Sequence, residues 1–408
     1  SPGVEVGPYL SQFMLIGNTD LNKGGSVADG LITYGVLQID QQVPIADCGE
    51  DFMTDWRTYV AIQNGINPEN DKSLKQQTYK ETCNTGRTAG RTAKRFISTP
   101  RDLATYVHFD ALYEAYLNAC IVLLGMGTPF DPGFNHLSGM GVAQDKSRLH
   151  AGGFALYGGP HILNLVTEVS TRALKAVRFQ KFNNHIRLRP EALAARIELL
   201  RESGTKGIPS VLSRDIGKLK EALEANKVDG KSTLELLKDG VGKGTHFLPM
   251  AFAEGSPMHP AYGAGHATVA GACVTILKAF FDTSAVLAQN SDGVAFKRVD
   301  PSKDTPVAFR APTLPTDKDQ DQSNEELDCY TPKEFLTLEG ELNKLAANIS
   351  IGRNMAGVHY FSDYFDSLRM GEEIAIGILE EQALTYSTDP FVLSLPTFDG
   401  EVVRIGRR

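Results

Sequence analysis

From Pro100 onward, apolar side chains return at the three-to-four-residue interval of an α-helix, and this recurrence limits the possible folds more than any other feature of the chain. Leu103, Tyr106, Val107, Phe109, Leu112, Tyr113, Tyr116, Leu117, Cys120 and Ile121 keep to it up to a stop at Gly125, which predicts one long, mostly buried helix. A second predicted helix runs from about His161 to Asn184, with Ile162, Leu165, Val166, Val169 and Val177 apolar and Arg172, Lys175 and Lys181 charged. Arg189-Pro190 ends it or follows its end, because the residue before a proline avoids the α region. A third starts near Gly265-His266 and reaches Phe281, a fourth covers about Pro332 to Ile351, and a fifth runs from Tyr364 towards Tyr386. Residues 30–47 mix β-branched residues with partial alternation and predict one short hairpin. Two stretches read as insertions forming surface loops or short helices: 202–245, rich in Lys, Glu and Gly, and 283–332, with an acidic run over 316–328. No internal repeat, heptad array or linker divides the helices. The expected fold is all-α, one helical bundle over residues 1–408 with a short β-hairpin and two surface insertions.

A hydrophobic content of 42% over 408 residues supports an extended core. No apolar run approaches the roughly 20 residues needed to cross a bilayer, so no membrane span is expected. Lys and Arg number 41 against 49 Asp and Glu, a net charge of −8. That balance argues against nucleic acid or an anionic membrane as partner, since both are polyanions, but leaves room for a local cation cluster gripping a small anion. Ser1 to Leu10 lack the basic start and apolar stretch of a signal peptide, and the chain has no initiator Met, so the compartment is not legible. The five cysteines form no CxxC pair, which disfavours structural zinc. Cys120 and Cys273 fall in apolar helical patterns and read as buried thiols. Cys48, Cys83 and Cys329 stand in polar, loop-like sequence where a disulfide, within or between chains, is open in an oxidising compartment.

Three segments carry candidate chemistry. Gly263-Ala264-Gly265-His266 leads into an apolar helix: glycines let the backbone turn tightly and approach a ligand, and the free N–H groups of a helix start attract an anion. Taken alone, this is equally a glycine turn into a buried helix. In the segment from Arg178 to Pro190, Lys181 and Arg189 would point about 80° apart on an unbroken helix. With Pro190 fixing the exit, both reach one pocket; the plainer reading is a basic helix end complementing the dipole. Arg353 and His359 do not share a helical face, so they converge only if the backbone bends near Gly357 or the long Arg side chain reaches round.

Taken in order, a Lys, a spaced Arg-Pro, a Gly-His at a helix start, an Arg and a final His resemble the signature shared by vanadium haloperoxidases and a large class of acid phosphatases. The segments Glu5–Gln12, Asp51–Asp55, Val107–Cys120, Phe247–Ser256 and Met355–Asp363 further resemble the red-algal and cyanobacterial bromoperoxidases, and the likeness fails mainly in the two insertions. The resemblance implies a helical bundle of the vanadium haloperoxidase and acid phosphatase type and a vanadate(V) cofactor. Lys181, Arg189, Arg353 and the Gly265 N–H would grip the oxyanion, His359 would bond vanadium, and His266 would act opposite it as acid and base. The implied substrates are hydrogen peroxide with bromide or iodide, and the hypohalous acid formed would halogenate small organic acceptors. In the resembled family a His at the position of His259 accompanies bromide oxidation, and Arg178 matches an arginine of the algal bromoperoxidases; chloride stays open. Ala264 departs from the family's usual Ser, whose hydroxyl bonds the oxyanion; such a loss is worth roughly 1.5–3 kcal/mol if nothing replaces it.

Some relatives carry calcium in the loop after the helix ending near Gly125. Residues 131–154 offer His, Gly and Arg where oxygen ligands are wanted, so calcium stays open. Relatives assemble into large homo-oligomers, the dodecamer among them, and carry a helical region upstream of this chain's first residue, so a truncated protein is expected. The rival readings are a phosphatase of the same superfamily, in which His359 attacks phosphorus to give a phospho-histidine and His259 and Arg178 are incidental, and a non-catalytic oxyanion-binding protein. The histidines at 108, 136, 150, 161, 185 and 246 read as packing or surface residues.

Overall fold

The computed structural model describes residues 1–18, 26–45, 50–75, 94–134, 158–204, 206, 208–240, 244–312, 326–386 and 392–406. Ten α-helices are used below: α1 Trp56–Gln63, α2 Pro100–Phe109, α3 Glu114–Gly125, α4 Gly159–Phe179, α5 Pro190–Ser203, α6 Ser210–Ala225, α7 Thr233–Asp239, α8 Gly265–Phe280, α9 Leu338–Met355 and α10 Phe361–Ala383. The largely apolar α8 is the central element, packed against α10, α4 and α9, and Ala267 to Phe280 are all buried. Two glycines set its closest crossing. A Cβ on Gly271 would come within 2.0 Å of the Leu368 carbonyl, and one on Gly371 within 2.0 Å of the Thr268 carbonyl, so α8 and α10 touch backbone to backbone.

The helix expected from Pro100 to Gly125 is two helices, α2 and α3, bent by 97°. Apolar periodicity runs through the break because both halves bury a face in the same core, so the pattern hides the corner. Among the described residues no single helix is long and apolar enough to cross a bilayer. The hairpin expected over 30–47 is present as Leu31–Tyr34 paired with Leu37–Asp40 around Gly35-Val36. The 202–245 insertion is helical, with α6 and α7 closing a small satellite core of Ile197, Ile216 and Leu234.

The 283–332 insertion is not the expected set of loops and short helices. Val286–Asn290 pairs with Gly293–Lys297, Thr305–Pro306 and Leu336–Thr337, and Ala308–Arg310 pairs with Asp328–Tyr330. The physical reason is a hydrophobic strand face: Val286, Leu287, Ala288 and Phe296 are buried, and Phe296 stacks on Phe13 at 5.1 Å. Residues 313–325, which include most of the acidic run, lie outside the described residues, as do Cys48 and Cys83; Cys120 and Cys273 are buried free thiols and Cys329 an exposed one.

Helix α9 is tied to the first residues of the chain through polar side chains on its buried face. Lys344 Nζ donates to the carbonyls of Val6 (2.7 Å) and Pro8 (3.0 Å) and pairs with Glu341 at 2.6 Å. Asn348 Nδ2 donates to Tyr9 O, while its Oδ1 accepts from Ser11 N and Glu341 Oε2 accepts from Gln12 N. Both members of the Lys344–Glu341 pair are buried, and removing one partner of such a pair leaves an uncompensated charge. Lys344→Ala is therefore expected to cost about 3–5 kcal/mol, read as a clear drop in thermal midpoint. The solvent-exposed Lys303–Asp300 pair gives the control, since Lys303→Ala should leave the midpoint nearly unchanged.

Candidate oxyanion site

Four interruptions of regular structure meet at one place. The first ends α4. There the helix widens into a single π turn, Gln180–His185, and Ile186 takes a left-handed conformation (φ 40°). Lys181 sits on that turn and is buried, while Arg189 follows in extended backbone as the N-cap of α5. The pair converges because the chain leaves the helix between them, as π turns at functional sites commonly arrange. The second interruption ends α9. Gly357 (φ 82°) follows the helix, with its N–H on Asn354 O and the Val358 N–H on Arg353 O, a Schellman closure. This bend, expected near Gly357, brings His359 back towards Arg353. The third is the turn His259 to Ala264 leading into α8, and the fourth is the corner between α2 and α3 at Asp110.

The cations are fixed by main-chain carbonyls. Lys181 Nζ donates to Pro260 O (2.8 Å) and Ala261 O (3.2 Å). Arg189 donates through Nε to His259 O (2.9 Å) and through one terminal nitrogen to Val358 O (2.8 Å). Arg353 donates to Val107 O at 3.1 Å, and its buried Nε has no partner among the described residues. None of the three hydrogen-bonds a carboxylate among the described residues. Burial, then the neighbouring Arg189, lowers Lys181 to about 7, and burial with Arg353 lowers Arg189 to about 10.

His359 faces this cluster with a defined tautomer. Its Nδ1 lies 3.1 Å from Asp363 Oδ2, and its Nε2 lies 3.1 Å from Arg189, a group that only donates. Nδ1 therefore carries the proton and Nε2 the lone pair. Burial chiefly, against the Asp363 bond and with Arg189 adding to it, lowers His359 to about 3, so the ring is neutral at physiological pH. Asp363 is fully buried in the first turn of α10, where it also accepts from Tyr360 N (3.0 Å) and from Arg187 (2.7 Å). Burial alone would raise its carboxyl, but the bonds from His359 and Tyr360 and the Arg187 charge hold it below the usual range.

His266, in the first turn of α8, has Nε2 3.0 Å from Asp110 Oδ1; burial lowers its pKa, and Asp110 opposes the shift. Gly265 opens the same helix, which has no side-chain cap, and the Ala264 N–H is taken by Ser367 Oγ at 2.9 Å. His259 Nδ1 accepts from Arg189 at 3.0 Å, and burial together with Arg189 and Lys181 lowers it to about 4. Arg178 is not drawn in: it stays exposed over the Phe182 ring at 5.3 Å, and only its charge reaches Lys181 and His259. Asp110, Asp363 and Arg187 were not singled out from the sequence. Asp363 was findable as an acidic residue in the first turn of a helix just after a candidate ligand; Asp110 depended on the unseen corner. His108, read as a packing or surface residue, does pack on the buried Phe252, and it also lines a cleft beside Arg353 and pairs with Glu254 at 2.6 Å. Residues 135–154 of the loop considered for calcium lie outside the described residues.

A buried set of donors fixed by carbonyls rather than by direct carboxylate bonds, with one guanidinium nitrogen unpartnered among the described residues, suits a tetrahedral oxyanion such as vanadate or phosphate. Two consequences are measurable. Lys181 binds an anion only when protonated, so phosphate affinity should fall as pH rises through about 7, and the fall should be shallower by one proton in Lys181→Met, as calorimetry across that range would reveal. Asp363→Ala should release the tautomer, seen as Nε2–H signals for His359 in nitrogen NMR, with oxyanion affinity down about 10–100-fold. An unchanged ring spectrum would remove Asp363 from this role.

Residues 237–384 match the family model of the VCPO second helical-bundle domain. The chain is 43% identical to the vanadium-dependent bromoperoxidase of Corallina pilulifera over 99% of its own length and 62% of that protein's. It is 26% identical to the vanadium-dependent bromoperoxidase of Ascophyllum nodosum, over 99% of this chain and 59% of that one. Among solved structures, the homohexameric second vanadate-dependent bromoperoxidase of Ascophyllum nodosum shares the fold, with a TM-score of 0.65 and 23% identity over all of this chain and 60% of that one. The chain thus spans about three fifths of the length of these relatives, is similar to the vanadium-dependent bromoperoxidases along nearly the whole of its own sequence, and shares the fold of the Ascophyllum structure.

Proposed function

We propose that this chain forms, as one helical domain, the centre of a vanadate-dependent haloperoxidase that uses hydrogen peroxide to oxidise bromide, and iodide, to hypohalous acid, which halogenates small organic acceptors. The observation that carries the reading is the His359 lone pair, fixed by Asp363 and set beside Arg189 in a cluster with Lys181 and Arg353 whose cations bond carbonyls and, among the described residues, no carboxylate directly. Likeness to the bromoperoxidases along nearly the whole of this chain supports it.

In this reading Nε2 of His359 holds the metal, and Lys181, Arg189, Arg353 and the Gly265 N–H hold the oxyanion oxygens. When bound, vanadate supplies a Lewis-acidic centre that activates peroxide without itself being reduced. His266, kept neutral near pH 7 by burial and anchored by Asp110, takes and returns the peroxide proton. Lys181, held by the Pro260 and Ala261 carbonyls, would lend its positive charge to an oxyanion oxygen. Arg178 at the exposed rim attracts halide, and His259, neutral and bonded to Arg189, borders its path. Assembly with copies of itself belongs to the same reading, supported by the homohexameric neighbour, with a dodecamer as the form the red-algal resemblance favours.

Monochlorodimedone bromination, dependent on peroxide, bromide and vanadate, is the expected activity, against little hydrolysis of p-nitrophenyl phosphate. His266→Ala should lose about 10²- to 10⁴-fold in kcat while still retaining vanadate. Hydrolysis without bromination after vanadate loading would overturn the proposal.

A further inference from the structure

The end of α1 and the turn that follows it, Ile62 to Glu69, face the segment Ala253–Met258 across a cleft of about 470 Å³ whose inner end is formed by His108, Arg353 and Val358. This volume is that of a small-molecule site rather than a solvent channel. Its walls are largely apolar, through Ile62, Ile66, Pro68, Met258 and Val358. One polar device is built into it. His108 is clamped flat against the buried Phe252 at 3.8 Å and edge-on to Phe109 at 4.6 Å, and its Nε2 lies 2.6 Å from Glu254 Oε1. Glu254 keeps 49% of its side chain accessible, so the carboxylate has capacity for a further donor. Arg353 belongs to both places, lining the cleft and standing in the cation cluster.

From this geometry we infer that the cleft binds the organic acceptor beside the oxidising centre and selects neutral hydroxylated aromatics, phenols above all, over organic anions. The inference rests on the haloperoxidase reading. The apolar walls accept an aromatic ring, and its hydroxyl donates to Glu254. Glu254 and Glu69 both line the cleft, so a carboxylate-bearing acceptor meets like charge, while Arg353 is committed towards the oxyanion. Bromination then forms one C–Br bond and breaks the Br–O bond of hypobromous acid, and the displaced ring proton leaves with hydroxide as water. Confinement by the walls sets which ring carbon faces the oxidant.

Binding can be measured without the cofactor. Phenol titrated into vanadate-free protein saturated with phosphate, so that Arg353 and the cation cluster are engaged, and followed by NMR should bind at least tenfold more tightly than benzoate. Glu254→Ala and Met258→Trp should each weaken phenol binding at least fivefold; both side chains are about half or more exposed, so neither change threatens folding. In the loaded enzyme the ortho-to-para ratio of bromophenols should differ from that of hypobromous acid alone and move towards it in both variants. A protein that brominates with the free-acid ratio and does not bind phenol overturns the cleft assignment and leaves the haloperoxidase reading intact. One that binds phenol but never brominates overturns that reading and the acceptor role with it. Equal affinity for phenol and benzoate, or unchanged affinity in both variants, also overturns the assignment.

Discussion

Lys181, Arg189 and Arg353 are anchored by carbonyl oxygens, and the remaining architecture follows from that choice. A carboxylate partner would hold each cation equally well but would cancel its charge; a carbonyl fixes the geometry and leaves the charge to be neutralised by a ligand. Carbonyls inside regular helices are already occupied, so free ones exist only at helix ends and turns. Val107 lies in the last turn of α2, Val358 between α9 and α10, and His259 to Ala261 in the turn before α8. The fold must therefore bring several chain breaks together, and it does so around a helix, α8, that is otherwise buried and apolar. The energetic cost appears in the titration of the cluster: burial and mutual repulsion take Lys181 down to about 7 and Arg189 to about 10.

That assembly tolerates little slack. The backbone contact at Gly271 and Gly371 fixes α8 against α10, and so places His266 at the start of one helix relative to His359 and Asp363 at the start of the other. Helix α9, which carries Arg353 near its end, is immobilised separately by the polar ties from Glu341, Lys344 and Asn348 to the first residues of the chain. Arg187 adds a third layer, bonding Asp363 and lying over Tyr262 and Tyr360 at 4.8 and 5.8 Å. Each layer restricts the next, from packing, to carboxylate, to imidazole.

Much of this was legible in the sequence, for definable reasons. The helices announce themselves through periodicity, and the basic residues and final histidine through their order and through Pro190 and Gly357, which mark where the chain must leave a helix. Features without a local signature were hidden. Asp110 is polar at a position where apolar spacing carries on, so the 97° corner that aims it at His266 is invisible until α3 is packed. The strands at Val286–Asn290 and Gly293–Lys297 were masked by the acidic run that follows, although their buried residues, Val286, Leu287, Ala288 and Phe296, are all apolar. His108 looked like a packing residue because its significance lies in Glu254, far away along the chain and close only after folding.

Two helix starts reach the site, and the sequence treats them differently. Helix α10 has Asp363 in its first turn, accepting from Tyr360 N, so its positive end is already matched by an acidic group. Helix α8 has no acidic residue in its first turn and no capping side chain, because Ala264 offers none and its N–H is spent on Ser367. Partial positive charge at a helix start attracts whichever anion is available. The protein supplies that anion from within the first turn at α10 and from the neighbouring corner, through Asp110, at α8. Ala264, which looks like a deficiency when a serine is expected, therefore withdraws one donor without supplying a competing side-chain acceptor at the N-cap, and the acidic group that reaches this helix start is Asp110, bonded to His266 from the corner between α2 and α3.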